Sequence, residues 1–171
     1  MPRRNANFDG MSLKASRDAV PHRQVTLETG TTFETTFVSG QFANLMVAHR
    51  PPGYHSRPHF HDAEQLNYVV EGEVWFFVGD RGWHLQRGDF FRVPRGAVHW
   101  MWNRIDRSLV LIEAHSPSMA DDPLFTAFGV RLLEEDEDPR LPAGAINRMV
   151  PDVDPTPVEA RYPDPAGPGE A

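Results

Sequence analysis

Gly53-Tyr-His55-Ser-Arg57-Pro-His59-Phe-His61-Asp-Ala-Glu64-Gln65 and Gly88-Asp-Phe-Phe-Arg-Val-Pro94-Arg-Gly96-Ala-Val-His99-Trp-Met101-Trp-Asn103 are the two stretches that decide the fold. Successive side chains on a strand point to opposite faces, so His59 and His61 share a face, with Cα atoms roughly 6–7 Å apart. Two imidazoles on one face can share an ion at about 2.0–2.1 Å per bond. Gln65 has the same parity provided that Asp62-Ala-Glu64 does not bulge; if it does bulge, Glu64 becomes the rival ligand, although parity points it away. His99 lies far along the chain, just past a Pro-Arg-Gly turn, and only a closed sheet brings it opposite. Four convergent ligands leave one or two coordination positions open, as a catalytic site needs.

Working outward, the chain from Val25 to Ile112 alternates short apolar runs with turn signals at Gly30, Gly40, Pro51-Pro52-Gly53, Glu71-Gly72, Gly79-Asp80, Arg87-Gly88-Asp89 and Pro94-Arg95-Gly96. That punctuation predicts an all-β antiparallel sandwich or barrel. Asn67–Val78 reads as a hairpin turning at Glu71-Gly72. Apolar residues on both faces of Val74–Val78 predict a sheet covered on both sides, hence a homodimer packed through the barrel wall. Leu124, Phe125, Phe128, Leu132 and Leu133 recur at helical spacing within Ala120–Glu135 and predict a helix packed across the barrel, ending in the solvated acidic run Glu134–Asp138. Eight of the sixteen prolines follow Asp138, which predicts an extended or disordered tail. The expected organisation is an N-terminal arm at 1–24, a barrel with its C-terminal helix at 25–137, and a Pro-rich tail at 138–171.

At 171 residues the chain is long enough for one domain with a full core. It has no cysteine, which excludes disulfides, thiolate metal sites and thiol catalysis. A net charge of -7 argues against a nucleic-acid partner. No stretch is apolar and long enough to span a bilayer, and Arg3 and Arg4 are not followed by the apolar run of a secretory signal. The expectation is a soluble cytoplasmic protein acting on a small molecule.

The two motifs resemble those of the cupin superfamily. The first is met at Gly53, His59, His61, Gln65 and Gly72, with every spacing kept and only the usual glutamate replaced; the second is met in full at Gly88, Pro94, Gly96, His99 and Asn103. The resemblance covers roughly residues 25–115. It implies a jelly-roll barrel holding a divalent transition metal, Fe(II), Mn(II), Ni(II) or Zn(II), through His59, His61, Gln65 and His99.

Glutamine at that position changes the chemistry. A carboxylate brings one negative charge to the ion and an amide brings none, so the site stays near +2. A more positive ion polarises substrate oxygen more strongly and makes oxidised iron harder to reach. Lewis-acid chemistry without redox is favoured, and the resemblance agrees in implying isomerases, lyases or cyclases acting on small oxygenated acids or carbonyl compounds. Fe(II) dioxygenase activity and non-catalytic ligand binding are the alternatives, since three-histidine iron cupins also exist.

Parity nominates further residues. Arg57 and His55 share the face of His59, and Arg57 could clamp a substrate carboxylate. Asn67 and Met101 also point inward and are candidate substrate contacts. Glu113, His115 and His55 are the candidate proton carriers. His22, His49 and His84 have no partner legible in the sequence, and no Ser-His-Asp triad or nucleotide-binding glycine loop is visible.

Overall fold

Alternation in the sequence becomes alternation in burial. In the computed structural model, which describes residues 14–26, 32–132 and 145–164, Asn44, Met46, Ala48 and Arg50 of one strand turn inward while Leu45 faces out. A neighbouring strand buries Leu109, Leu111, Glu113 and His115 in the same way. The first strand thus buries Met46 and Ala48 between polar Asn44 and Arg50, and the second runs from buried apolar Leu109 and Leu111 to buried polar Glu113 and His115 on the same inner face.

The strands are β1 (Arg23–Thr26), β2 (Thr32–Ser39), β3 (Asn44–Arg50), β4 (His59–His61), β5 (Glu64–Glu71), β6 (Glu73–Val78), β7 (Arg81–Gln86), β8 (Phe90–Val93), β9 (His99–Trp102), β10 (Leu109–Ser116), β11 (Val130–Arg131) and β12 (Asn147–Met149). Two short helices follow the barrel strands, α1 (Pro123–Thr126) and α2 (Thr156–Glu159). Among the described residues one sheet runs β1-β2-β3-β10-β5-β8, with β11 parallel to β2, and the other runs β12-β4-β9-β6-β7. The fold is an antiparallel jelly roll. Phe33, Phe37, Val69, Phe76, Val93 and Leu111 fill the space between the sheets, each such burial contributing about 1.5–3 kcal/mol.

The motif glycines occupy turns that a side chain would break. Gly72 joins β5 to β6 at φ +81°, and a Cβ there would lie 2.8 Å from the Ser108 carbonyl oxygen. The amide of Gly96 donates to the His61 carbonyl (3.0 Å), which ties the turn before His99 to the strand that carries the first two histidines.

The segment after the barrel departs from the expected helix. Among the described residues of this segment only Pro123–Thr126 is helical, capped by Asp122; the chain then turns at Gly129 and joins β2 as β11. A Cβ on Gly129 would come within 2.6 Å of the Phe37 ring, so the backbone approaches the core here as a helix with a side chain could not. Phe125 and Phe128 still enter the core, Phe125 stacking on Phe37 at 4.6 Å. The turn at Gly30, Leu133 and the acidic run Glu134–Asp138 lie outside the described residues.

The region read as an extended or disordered tail is folded over residues 145–164. β12 pairs with β4 in the register Asn147↔His61 and Met149↔His59. Beyond it, Glu159 of α2 accepts hydrogen bonds from Trp100 Nε1 (2.8 Å) and His55 Nε2 (2.7 Å). Tyr162 lies against Trp75 and Phe77, and a Cβ on Gly82 would stand 2.9 Å from the Tyr162 ring. The second apolar face of Val74–Val78, read as a homodimer surface, is therefore covered by the chain's own tail. Composition missed this because the few anchors, Glu159 and Tyr162, are sparse among prolines. No helix among the described residues is long and apolar enough to cross a membrane.

Candidate functional site

β4 supplies His59 and His61, β9 supplies His99 directly opposite His59 in register, and β5 supplies Gln65. The ring centroids of His59 and His99 are 4.3 Å apart, those of His61 and His99 4.8 Å, and those of His59 and His61 6.3 Å. Among the described residues no three His, Asp or Glu side chains stand at closed metal-ligand geometry, so fit to an ion has to be judged from the donor atoms.

Those atoms are arranged alike in all three imidazoles. Nδ1–H of His59 donates to the Arg57 carbonyl (2.8 Å), that of His61 to the Ala63 carbonyl (3.0 Å), and that of His99 to the Ala97 carbonyl (2.9 Å). A carbonyl can only accept, so Nδ1 of each ring carries a proton, and a neutral ring then has its lone pair on Nε2. Carbonyls placed this way orient metal-binding histidines. Burial pushes the pKa of His59 down to about 4 and that of His99 well below its usual value, the latter aided by repulsion from His59 and His61. These two rings are kept unprotonated near neutrality.

Gln65 completes the set. Its Nε2 donates to Asn67 Oδ1 (2.7 Å) and to Glu113 Oε2 (3.2 Å), which fixes the amide orientation and turns Oε1 onto His61 Nε2 at 2.9 Å. This contact is satisfied by a proton on His61 Nε2 or by a cation that both atoms ligate, and the nitrogen and oxygen donors gathered here fit the divalent ions named above.

His115 is built in the opposite sense. Asn44 Oδ1 accepts from the Met119 amide (2.8 Å), so Asn44 Nδ2 donates to His115 Nδ1 (2.9 Å). The ring must carry its hydrogen on Nε2, and it presents a donor where the neutral rings of His59 and His99 present lone pairs. Burial, then repulsion from His61 and His59, lowers its pKa to about 3. Its centroid lies 5.1 Å from that of His61.

Glu113 is buried with Arg50 Nη2 at 3.2 Å, and the Arg50 guanidinium stacks over Phe33. Burial pushes the Glu113 carboxyl up against the pull of Arg50. These groups border a cavity of about 660 Å³ lined by His55, Arg57, His59, His61, Gln65, His99, Met101, Glu113 and His115, with Phe33, Met46, Phe76, Met119 and Phe125 among its apolar walls.

The other nominated residues are distributed as follows. Met101 lines the cavity. Asn67 lies behind Gln65, accepting from it and donating to the Phe91 carbonyl, and is not among the lining residues. Arg57 borders the cavity but is itself exposed. His55 stacks on Trp102 at 4.6 Å with Nε2 engaged by Glu159. Glu64 is turned outward onto Arg92, and His84 stands 3.4 Å from Glu73. Sequence reasoning missed Asn44 and Arg50, though both follow the inward parity of Met46 and Ala48 on β3. It also missed Ile146, Asn147 and Met149 of the tail, which line the cavity and carry no sequence signal.

Comparison with known proteins places this geometry. Residues 46–115 match the family model described as a cupin domain. No protein of curated function matches the sequence. An RmlC-like cupin from Shewanella frigidimarina is similar in structure at 22% identity and a TM-score of 0.54, over 63% of this chain and 92% of that one. KdgF from Halomonas sp. is similar at 22% identity and a TM-score of 0.51, over 58% of this chain and 90% of that one. Vicilin from Corylus avellana (hazelnut) reaches 18% identity and a TM-score of 0.50, with 57% of this chain covering 31% of that one. At these identities the likeness is one of fold.

Proposed function

With residues 46–115 a cupin domain, we propose that the protein is a metal-dependent enzyme performing non-redox isomerase, lyase or cyclase chemistry on an oxygenated organic compound. The observation that supports this most is the matched set of three Nδ1–H···O=C hydrogen bonds, which reserves the Nε2 atoms of His59, His61 and His99 for a ligand beside the Gln65 amide oxygen. A divalent ion held by His59, His61, Gln65 and His99 would supply Lewis acidity, polarising a substrate oxygen and stabilising negative charge developing on it.

The remaining roles belong to the chain. His115 offers its Nε2–H to a substrate oxygen as a neutral hydrogen-bond donor, since a group that protonates only near pH 3 is a poor proton source at neutrality. His55 is engaged by Glu159 and Trp102. Of the three nominated proton carriers, Glu113 is left as the group that exchanges a proton with a ligand: it lines the cavity, and burial raises its carboxyl. The apolar walls exclude water and strengthen these interactions.

The test is metal analysis of protein purified without added metal, joined to anaerobic turnover of candidate oxo acids. Metal at one equivalent per chain and solvent-proton exchange without oxygen would support the reading. Bound iron with substrate-dependent oxygen uptake would replace it with the dioxygenase alternative.

A further inference from the structure

The polar groups around the cavity are largely engaged with one another. Arg50 and Glu113 pair at 3.2 Å. The Asp122 carboxylate caps Leu124 N (2.8 Å) and accepts from Asn147 N (2.7 Å). Ser56 Oγ accepts from Met101 N (2.9 Å). The Gln65 amide hydrogens are held by Asn67 and Glu113. Besides the imidazole cluster, the buried lining offers a ligand the Nε2–H of His115 and little charge that is not already compensated.

What remains is apolar. Phe33, Met46, Phe76, Met101, Met119 and Phe125 line the cavity and are also buried core residues. Four methionines in all face this space, Met149 of the tail included, and their unbranched side chains adapt to irregular apolar shapes. A volume of about 660 Å³ is in the range of sites for drug-sized molecules. A three-carbon acid would leave most of it empty, and a second carboxylate buried among these walls would find Arg50 already paired with Glu113 and the other lining arginine, Arg57, at the exposed rim.

We propose that the substrate is an apolar-bodied compound, aromatic or branched aliphatic, with a single oxygen-bearing head directed at the histidine cluster and His115, rather than a small polyanionic acid. The assignment of the head rests on the metal-enzyme reading above; that of the body rests on the walls alone.

Phenylpyruvate, pyruvate and oxaloacetate share a 2-oxo acid head and differ in the body, which is phenyl, methyl or carboxymethyl. Calorimetric titration of the full chain, both loaded with Zn(II) and metal-free, separates the two parts of the argument. Phenylpyruvate is expected to bind at least about tenfold more tightly than pyruvate, with oxaloacetate weakest. Leu124 lines the cavity and is only half-buried, so L124S is expected to weaken phenylpyruvate several-fold and leave pyruvate unchanged. Oxaloacetate binding as tightly as phenylpyruvate overturns the proposal, as does absence of phenylpyruvate binding to either form. Metal-dependent binding of all three without a phenyl preference overturns the substrate class and spares the metal-enzyme reading. The phenyl preference in a protein that takes up no metal does the reverse.

Discussion

Gln65 donates its amide hydrogen to the Glu113 carboxylate across 3.2 Å, from the side opposite the one it turns to His61. The carboxylate missing from the ligand position is thus found one hydrogen bond behind it. Glu113 polarises the amide and makes Oε1 a stronger donor, while Arg50 on the far side of Glu113 tempers the effect. The amide remains neutral, but its electron density is set by an ion pair.

Replacing Gln65 by glutamate sets two carboxylates side by side. Without metal, Q65E should lose about 1–3 kcal/mol, since the hydrogen bonds to Asn67 and Glu113 turn into repulsions. A bound cation relieves that repulsion, so the rise in Tm on adding Zn(II) should be larger in Q65E than in the parent. Thermal denaturation with EDTA and with Zn(II) measures both; an equal rise in the two proteins would exclude Gln65 from the ligand set.

Asn44 sets the His115 tautomer through a 2.9 Å hydrogen bond. In N44D the new carboxylate accepts from Nδ1–H and turns Nε2 into a lone pair. Activity should fall about 10–100-fold, the usual effect of losing such an orienting partner, with metal content retained. The ¹⁵N shifts of the four clustered imidazoles report it directly: in the parent His59, His61 and His99 carry a proton on Nδ1 and His115 on Nε2, and in N44D His115 too is protonated on Nδ1.

Stability of the metal-free protein should fall with acid. The folded-state pKa values of His99 and His115 lie below that of an unfolded histidine, His115 at about 3. Above about pH 6.5 both states are neutral and the groups contribute nothing. Below it the unfolded chain binds protons that the folded chain refuses, so stability drops by up to about 1.4 kcal/mol per pH unit for each such histidine. Glu113, shifted upward, acts in the opposite sense over the same descent, but it is one group against three, since His59, pushed down to about 4, adds to His99 and His115. Urea unfolding between pH 7 and 4 checks the slope, and a flat profile would contradict the burial of these imidazoles.

E159A removes the acceptor shared by Trp100 and His55. We expect a loss of about 1–3 kcal/mol from the unsatisfied indole N–H, a red shift in tryptophan emission and unchanged metal uptake. Chemical unfolding and fluorescence distinguish this from a free tail, for which E159A would be silent.

Much of the fold was readable because its determinants are local. Strand parity put His59 and His61 on one face of β4, whereas the strand breaks at Asp62-Ala63 and Gln65 stands on β5 of the other sheet; the turn glycines stand where the backbone needs positive φ, as at Gly72 and Gly96. The helix over Ala120–Glu135 was misjudged because apolar spacing cannot register how closely Gly129 must pass Phe37. The tail was misjudged because proline content says nothing about Glu159 finding Trp100 across the barrel.

The sequence by itself indicated the two-sheet barrel and the four candidate ligands, since turn glycines and the His-X-His spacing are local; that Gln65 and His99 meet this pair from other strands was decided by the way the sheets close. Only the tertiary structure decided where each proton sits and what walls the cavity has. Those depend on partners distant in the chain, Asn44 on His115, Arg50 on Glu113 and Met149 opposite His59. A hydrogen bond between residues so far apart leaves no periodic trace in either segment.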